Sequence, residues 1–399
     1  MTMKISRLIQ SLEPSATLAM SAKAKQLKAE GRNVLDLSVG EPDFPTPWHI
    51  CEAAIAAMKA GHTHYTIASG IPELKKAVVE DYKRRYGLEY SPSQVVISNG
   101  AKHAIHNALT VLLDPEDEVI IPSPYWVSYS ELVKLTGAKP VIVPTREDNQ
   151  FKLTPEEFRR AITPKTKLLL LCTPSNPTGT TYTKEELERL ADIVLEHDLM
   201  VLADEVYDQL TYGGFSFSSF PTIRPGLPER TVVINGVSKT YAMTGWRIGW
   251  SISPAKVATA MGDLQSQETS NPCSISQYAA LAALTGPQDC VAEMRGEFAR
   301  RRNFVCQRLR KIPNITFPEM SGAFYAFVNI SHYLGKKYNG KVINGTADWC
   351  LEFLAREGVA TVMGSAFGAE GYVRLSFATS MEVLEEALDR FECFLQSAS

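Results

Sequence analysis

Between residues 95 and 253 the chain repeats one theme, a short apolar run followed by a polar turn. The runs read VVIS (95–98), EVII (118–121), PVIV (140–143), LLLLC (168–172), LMVLA (199–203), VVIN (232–235) and IGWSIS (248–253). Helix signals lie between several of them. GAKHAIHNALTVLL sets Ile105, Ala108, Leu109 and Leu112 on one amphipathic stripe. TKEELERLADIVLEHD opens with a capping box from Thr183 to Glu186 and continues with Leu187, Leu190, Ala191 and Val194. TPEEFRRAI offers Thr154 as cap, Pro155 at the first helical position and Glu157 closing the box. Near-continuous apolar strands alternating with helices predict an α/β fold, with a largely parallel sheet covered on both faces.

The flanks differ. A helical stretch ends near Gly31, and the proline-punctuated NVLDLSVGEPDFPTP follows. After about residue 290 come a long charged helix pattern, strand-like AFYAFVNI (323–330), a helix around 346–357, GYVRLSFA (371–378) and a final helix. This predicts a large domain over 49–290 and a smaller α+β domain assembled from 1–48 and 291–399.

Composition narrows the class. With 45% apolar and 21% charged residues the chain is ordinary globular protein, long enough for a sizeable core. A net charge of −3 advertises neither nucleic acid nor an anionic membrane. The basic stretch EFARRRNF (297–304) reads as one solvated helix face. The seven cysteines are scattered without a CxxC pair, which predicts a reduced, cytoplasmic protein and no metal site. No signal-peptide pattern opens the chain, and no apolar run approaches the ~20 residues that cross a bilayer.

In open α/β sheets ligands bind beyond the carboxyl ends of the strands. The turns at that edge read NGAKH, PSPYW, TPSNPTG, DEVY and GVSKT. Gly100-Ala101-Lys102 opens a helix whose free N–H groups suit a phosphate, or is an ordinary turn. Asp204 and Glu205 are a functional carboxylate pair, or a cap or solvated pair. Asn176 in its two-proline turn and Trp126 each have a structural reading as well. Lys239, directly behind an apolar strand, is the hardest to explain as decoration, because lysine is rarely buried without purpose.

SKTYAMTGWRIG (238–249) closely resembles the lysine signature of the class I aminotransferases, which use pyridoxal 5′-phosphate. GEPDFPTP (40–47), HYTIASGIPELK (64–75), SPYWVSY (123–129), TPSNPTG (173–179), DEVY (204–207) and GYVRLSF (371–377) extend the resemblance along essentially the whole chain. It is most similar to the bacterial-type aspartate subgroup that includes prephenate aminotransferases. The resemblance implies fold type I, with a mostly parallel seven-stranded sheet, and a homodimer with shared active sites.

Residue by residue, it implies that Lys239 attaches covalently to the cofactor and moves the substrate α-proton. Asp204 pairs with the pyridine nitrogen, Tyr207 and Asn176 donate to the ring hydroxyl oxygen, and Trp126 stacks on the ring. Arg247, Ser238 and the backbone of Gly100, Ala101 and Lys102 hold the phosphate, with Tyr65 reaching it from the neighbouring subunit. Arg374 clamps the substrate α-carboxylate beside the backbone of Gly40. Trp126 and Asn176 also face the substrate, and Lys102 and Thr17 are partners for a distal carboxylate, Ser15 a weaker one.

One position departs from the subgroup. Glu13 stands before PSAT where members taking dicarboxylates often carry a basic residue, which weakens the expectation of prephenate. QSQETSNPCS (265–274) contains no arginine for a side-chain carboxylate. The implied activity is ping-pong transamination between L-aspartate and 2-oxoglutarate. Alternatives are an aromatic or alanine donor, prephenate as acceptor, or a β-lyase. A DNA-binding regulator built on this scaffold requires an added helix-turn-helix segment, and a dinucleotide enzyme a GxGxxG that no strand here precedes.

Overall fold

The computed structural model describes residues 3–399. All seven apolar runs are strands of one sheet: β1 (Val95–Ser98), β2 (Glu118–Ser123), β3 (Lys139–Pro144), β4 (Thr166–Cys172), β5 (Met200–Asp204), β6 (Thr231–Gly236) and β7 (Gly249–Ile252). Their spatial order is β1-β7-β6-β5-β4-β2-β3. The pairings from β6 through β3 are parallel, whereas β7 runs antiparallel to both β1 and β6.

Successive residues on these strands feed opposite faces. Leu168 and Leu170 of β4 pack with Ala101–Leu112, Ser128–Leu135 and Ala255–Glu268. Leu169 and Leu171 pack with Pro155–Ala161 and Lys184–Glu196. Apolar side chains alternating onto two helical layers leave no solvated face, which is why the runs are apolar throughout. The boxes at Thr154 and Thr183 form, each with its glutamate returning to the cap N–H.

A second core gathers the termini. The antiparallel strands β8 (Tyr325–Asn329), β9 (Val362–Met363) and β10 (Tyr372–Ser376) form a sheet with β10 central. Leu35–Asp36 pairs in parallel with Val359–Ala360, joining the two ends of the chain. Helices Ala16–Ala29, Asp289–Leu309, Thr346–Glu357 and Met381–Gln396 supply Met20, Phe298, Trp349 and Phe391 to this core.

The basic stretch 297–304 is not one solvated face. Arg300 is exposed, but Arg301 is buried and donates to both Asp43 oxygens at 2.6 and 3.0 Å and to Glu297 at 2.9 Å. Its guanidinium also lies 5.0 Å from the Phe44 ring centroid. Arg301 fastens the 40–47 segment to the long helix, an ion pair spanning 258 residues of sequence that helical periodicity cannot reveal.

Candidate active site

Strand register brings the ends into line: Cys172 pairs with Asp204 and Asp204 with Ile234 in parallel, and Gly236 pairs with Gly249 across the antiparallel step. Above this edge lies a cavity of about 460 Å³, in the size range of cofactor sites. It is lined by Lys239, Asp204, Tyr207, Ala101, Lys102, Trp126, Asn176, Ser238, Arg247, Gly40, Thr17 and Arg374, nearly the whole predicted set. Its wall carries five cationic side chains, Lys25 and Glu41 being the unforeseen charges, against two carboxylates. A cationic cavity in a chain of net charge −3 is built for an anionic ligand.

Lys239 follows β6 on a four-residue helix, and its Nζ donates to the Gly40 carbonyl at 2.6 Å. Burial lowers its pKa to about 8; Arg247 and Arg374 push the same way, against Glu41 and Asp204. Asp204, at the end of β5, is moved oppositely, up to about 6, because burial outweighs its hydrogen bonds. Its Oδ2 accepts from Tyr129 at 2.6 Å and its Oδ1 from the Val206 N–H at 3.4 Å. Asp204 and Glu205 are therefore no solvated pair. Glu205 is fully buried, accepts from Ser219 and the Phe220 N–H, and shapes the following loop.

A cluster of N–H donors sits beside them. Helix Ala101–Leu112 has Gly100 as its N-cap and no side-chain cap, so its first N–H groups face the cavity edge. Gly100 itself is not a lining residue but is required there: its φ is +84°, and a Cβ would stand 2.2 Å from Arg247 Nη2. Arg247 donates to Thr244 O at 2.9 Å and Asn99 O at 3.3 Å, and no carboxylate among the described residues pairs with it. Burial and Arg247 both lower the Lys102 pKa, and Lys102 Nζ lies 4.8 Å from the Trp126 ring centroid.

Arg374 on β10 is 1% exposed, yet no carboxylate among the described residues forms an ion pair with it. Nη1 donates to Asn176 Oδ1 at 2.9 Å, Nη2 donates to Ser38 O at 2.6 Å, and Nε is buried without a partner. The rings of Tyr325 and Phe367 lie 4.5 and 5.0 Å from the guanidinium. A buried cation held by neutral groups is costly unless a ligand anion completes the site.

The N-terminal helix forms one wall through Ser15, Thr17, Leu18, Ser21 and Lys25. Thr17 Oγ1 is buried and unpartnered. Glu13 does not line the cavity; its N–H donates to Glu131 Oε2 at 2.9 Å. Tyr65 is 91% exposed and stands outside the cavity of its own chain. Sequence reasoning missed Tyr129 and Tyr325, both in quoted motifs, because an aromatic in an apolar stretch reads as core.

The model of the family described as aminotransferase class I and II matches residues 32–391. The chain belongs to this family. It is an aminotransferase, and the cofactor of the family is pyridoxal 5′-phosphate. It is 47% identical to an aspartate aminotransferase of Bacillus subtilis across 100% of both chains. It is 46% identical to an aspartate/prephenate aminotransferase of Cereibacter sphaeroides, covering 97% of this chain and 98% of that one. Among solved structures, the aspartate aminotransferase of Rhizobium meliloti superposes with a TM-score of 0.96 at 42% identity over 100% of both chains. The Thermus thermophilus aspartate aminotransferase with maleate gives 0.92 at 41%, covering 98% of this chain and 100% of that one. The aminotransferase's donor set fits the cofactor: an uncapped helix start and arginine for phosphate, a buried acid for a ring cation, and a low-pKa amine for an aldehyde. No helix among the described residues is long and apolar enough to cross a membrane.

Proposed function

We propose that this aminotransferase transfers the amino group of L-aspartate to 2-oxoglutarate, binding both acids in one cavity by turns. The cofactor contributes the aldehyde that accepts the amino group and a ring that withdraws electrons from the substrate α-carbon. Lys239 is the covalent anchor, and its neutral Nζ takes the α-proton. With a pKa near 8 it is neutral at pH 7.5 about two hundred times more often than an ordinary lysine. Asp204, oriented by Tyr129, keeps the ring nitrogen protonated, while Tyr207 and Asn176 donate to the ring oxygen and Trp126 covers its face. Arg247, Ser238 and the N–H groups of Ala101 and Lys102 hold the phosphate.

The buried, unpaired guanidinium of Arg374 carries the substrate assignment, since its Nε and Nη edge suits an α-carboxylate. Lys102 and the unpartnered Thr17 hydroxyl favour an acid with a second carboxylate. Relatives named for aspartate support the same choice. A second copy of the chain completes the site through Tyr65. The exposed Trp48, Met58, Tyr65 and Ile67 supply an apolar surface for it. Segments 3–48 and 291–399 form the smaller domain, residues 1–2 of the expected 1–48 lying outside the described residues.

Absorbance spectroscopy of the holoenzyme tests the reading. L-aspartate should shift the cofactor band and 2-oxoglutarate restore it, and borohydride should fix the cofactor on the Lys239 peptide. A spectrum unmoved by L-aspartate refutes the donor, and labelling of another lysine refutes the anchor.

A further inference from the structure

We propose that Tyr325 is a positioning residue that sets both the hydroxyl of Tyr207 and the guanidinium of Arg374; this rests on the roles given to those two residues above. Its place follows from strand register. On the antiparallel pair β8–β10, Tyr325 lies opposite Ser376, and Phe327 lies opposite Arg374. Opposed residues share a face, so Tyr325 and Arg374 are diagonal neighbours on one side of the sheet, within reach for an aromatic and a long side chain. The Tyr325 ring centroid is 4.5 Å from Arg374 Cζ, and Tyr325 is fully buried yet lines the cavity.

The other end of the ring meets the cofactor side. Tyr325 Oη and Tyr207 Oη are 2.9 Å apart, with the two rings edge to face at 82°. A hydroxyl has one proton to give. When Tyr207 gives its proton to an anionic ring oxygen, the Tyr325 hydroxyl is left to donate to Tyr207, which strengthens the Tyr207 donation. The backbone is fitted to this hydroxyl: a Cβ on Gly40 would stand 2.7 Å from Tyr325 Oη, and the Gly40 carbonyl accepts from Lys239. One side chain thus touches the groups that tune the cofactor, hold the carboxylate and receive the lysine.

The two ends separate by mutation. Tyr325→Phe keeps the ring under Arg374 and removes only the hydroxyl. The pH titration of the holoenzyme's absorbance, recorded without substrate, should move up by about half a unit, because a weaker Tyr207 donation leaves the Lys239 nitrogen holding its proton more tightly. Its KM for L-aspartate should stay close to native. Tyr325→Leu removes ring and hydroxyl together, so it should show the same upward titration shift and a KM raised about tenfold. Tyr333→Phe is the control, deleting a hydroxyl that donates to the Pro313 carbonyl and takes no part in lining the lysine's cavity; its titration should coincide with native. A Tyr325→Phe titration that is unmoved or moved down overturns the hydroxyl role. A KM for the leucine variant no higher than for the phenylalanine variant overturns the ring role. Failure of the native enzyme to turn over L-aspartate would instead refute the substrate reading, and the titration would still decide the hydroxyl role.

Discussion

Asp204→Asn should stabilise the cofactor-free protein while crippling the loaded enzyme. The carboxyl pKa rises from 3.8 to about 6 on folding, because Asp204 is buried with only two hydrogen-bond donors. A raised acid pKa favours the fold fully below about pH 4, and that advantage disappears as pH climbs through 6. Above pH 7 the folded protein therefore carries an anion costing about 3 kcal/mol, some two units at 1.4 kcal/mol each. Asparagine removes the charge but can accept from only one of Tyr129 and Val206, which returns about 1–1.5 kcal/mol. The net gain is about 1–2 kcal/mol at pH 7.5. For a chain of 399 residues this raises the melting midpoint by about 1–3 °C. Thermal unfolding of cofactor-free native and variant proteins, at one protein concentration and scan rate from pH 4 to 8, reads the difference. It should be smallest or reversed at pH 4 and grow up to pH 7, while cofactor retention in the variant falls. A variant less stable than native at pH 7.5, or a difference independent of pH, refutes the account of a strained buried anion.

Three further outcomes follow from the same geometry. Capture of cofactor should quicken about tenfold per pH unit between 6 and 7 and level off above pH 8, as Lys239 loses its proton; stopped-flow absorbance giving a flat profile refutes it. Arg374→Lys keeps the charge but loses the fork, so kcat/KM for L-aspartate should fall about 10²–10³-fold, while borohydride still fixes the cofactor normally. Asp43→Ala leaves Arg301 buried with Glu297 alone and should cost about 1–2 kcal/mol by thermal unfolding, reduced from a fully buried pair because Asp43 is partly exposed.

The strands of the large sheet were legible because burial on both faces makes each run apolar end to end. The opposite direction of β7 was not, since a strand buried on both faces reads alike either way round. Lys239, Arg247 and Asp204 stood out as charges at strand ends, where core packing offers no rival explanation. Tyr129 and Tyr325 offered the reverse case: their hydroxyls reach Asp204 and Tyr207, but their rings look like core. Arg301 was misread because its partner, Asp43, lies in a distant loop, and helical periodicity records only neighbours within a turn or two.

The antiparallel β7 has a consequence for how the chain tolerates change. A parallel successor to β6 would force the chain to travel the length of the sheet before re-entering it. Here the segment 237–248 turns back at the same edge, so the end of one strand and the beginning of the next both open onto the cavity. Lys239 and Arg247 are thereby measured off from a single hairpin-like reversal, pinned where Gly236 and Gly249 pair and where a Cβ on Gly249 would strike Ala101 N at 2.3 Å. Helical crossovers elsewhere can absorb an inserted residue in a surface loop. An insertion between 240 and 246 has no such slack and would throw Lys239 and Arg247 out of step together.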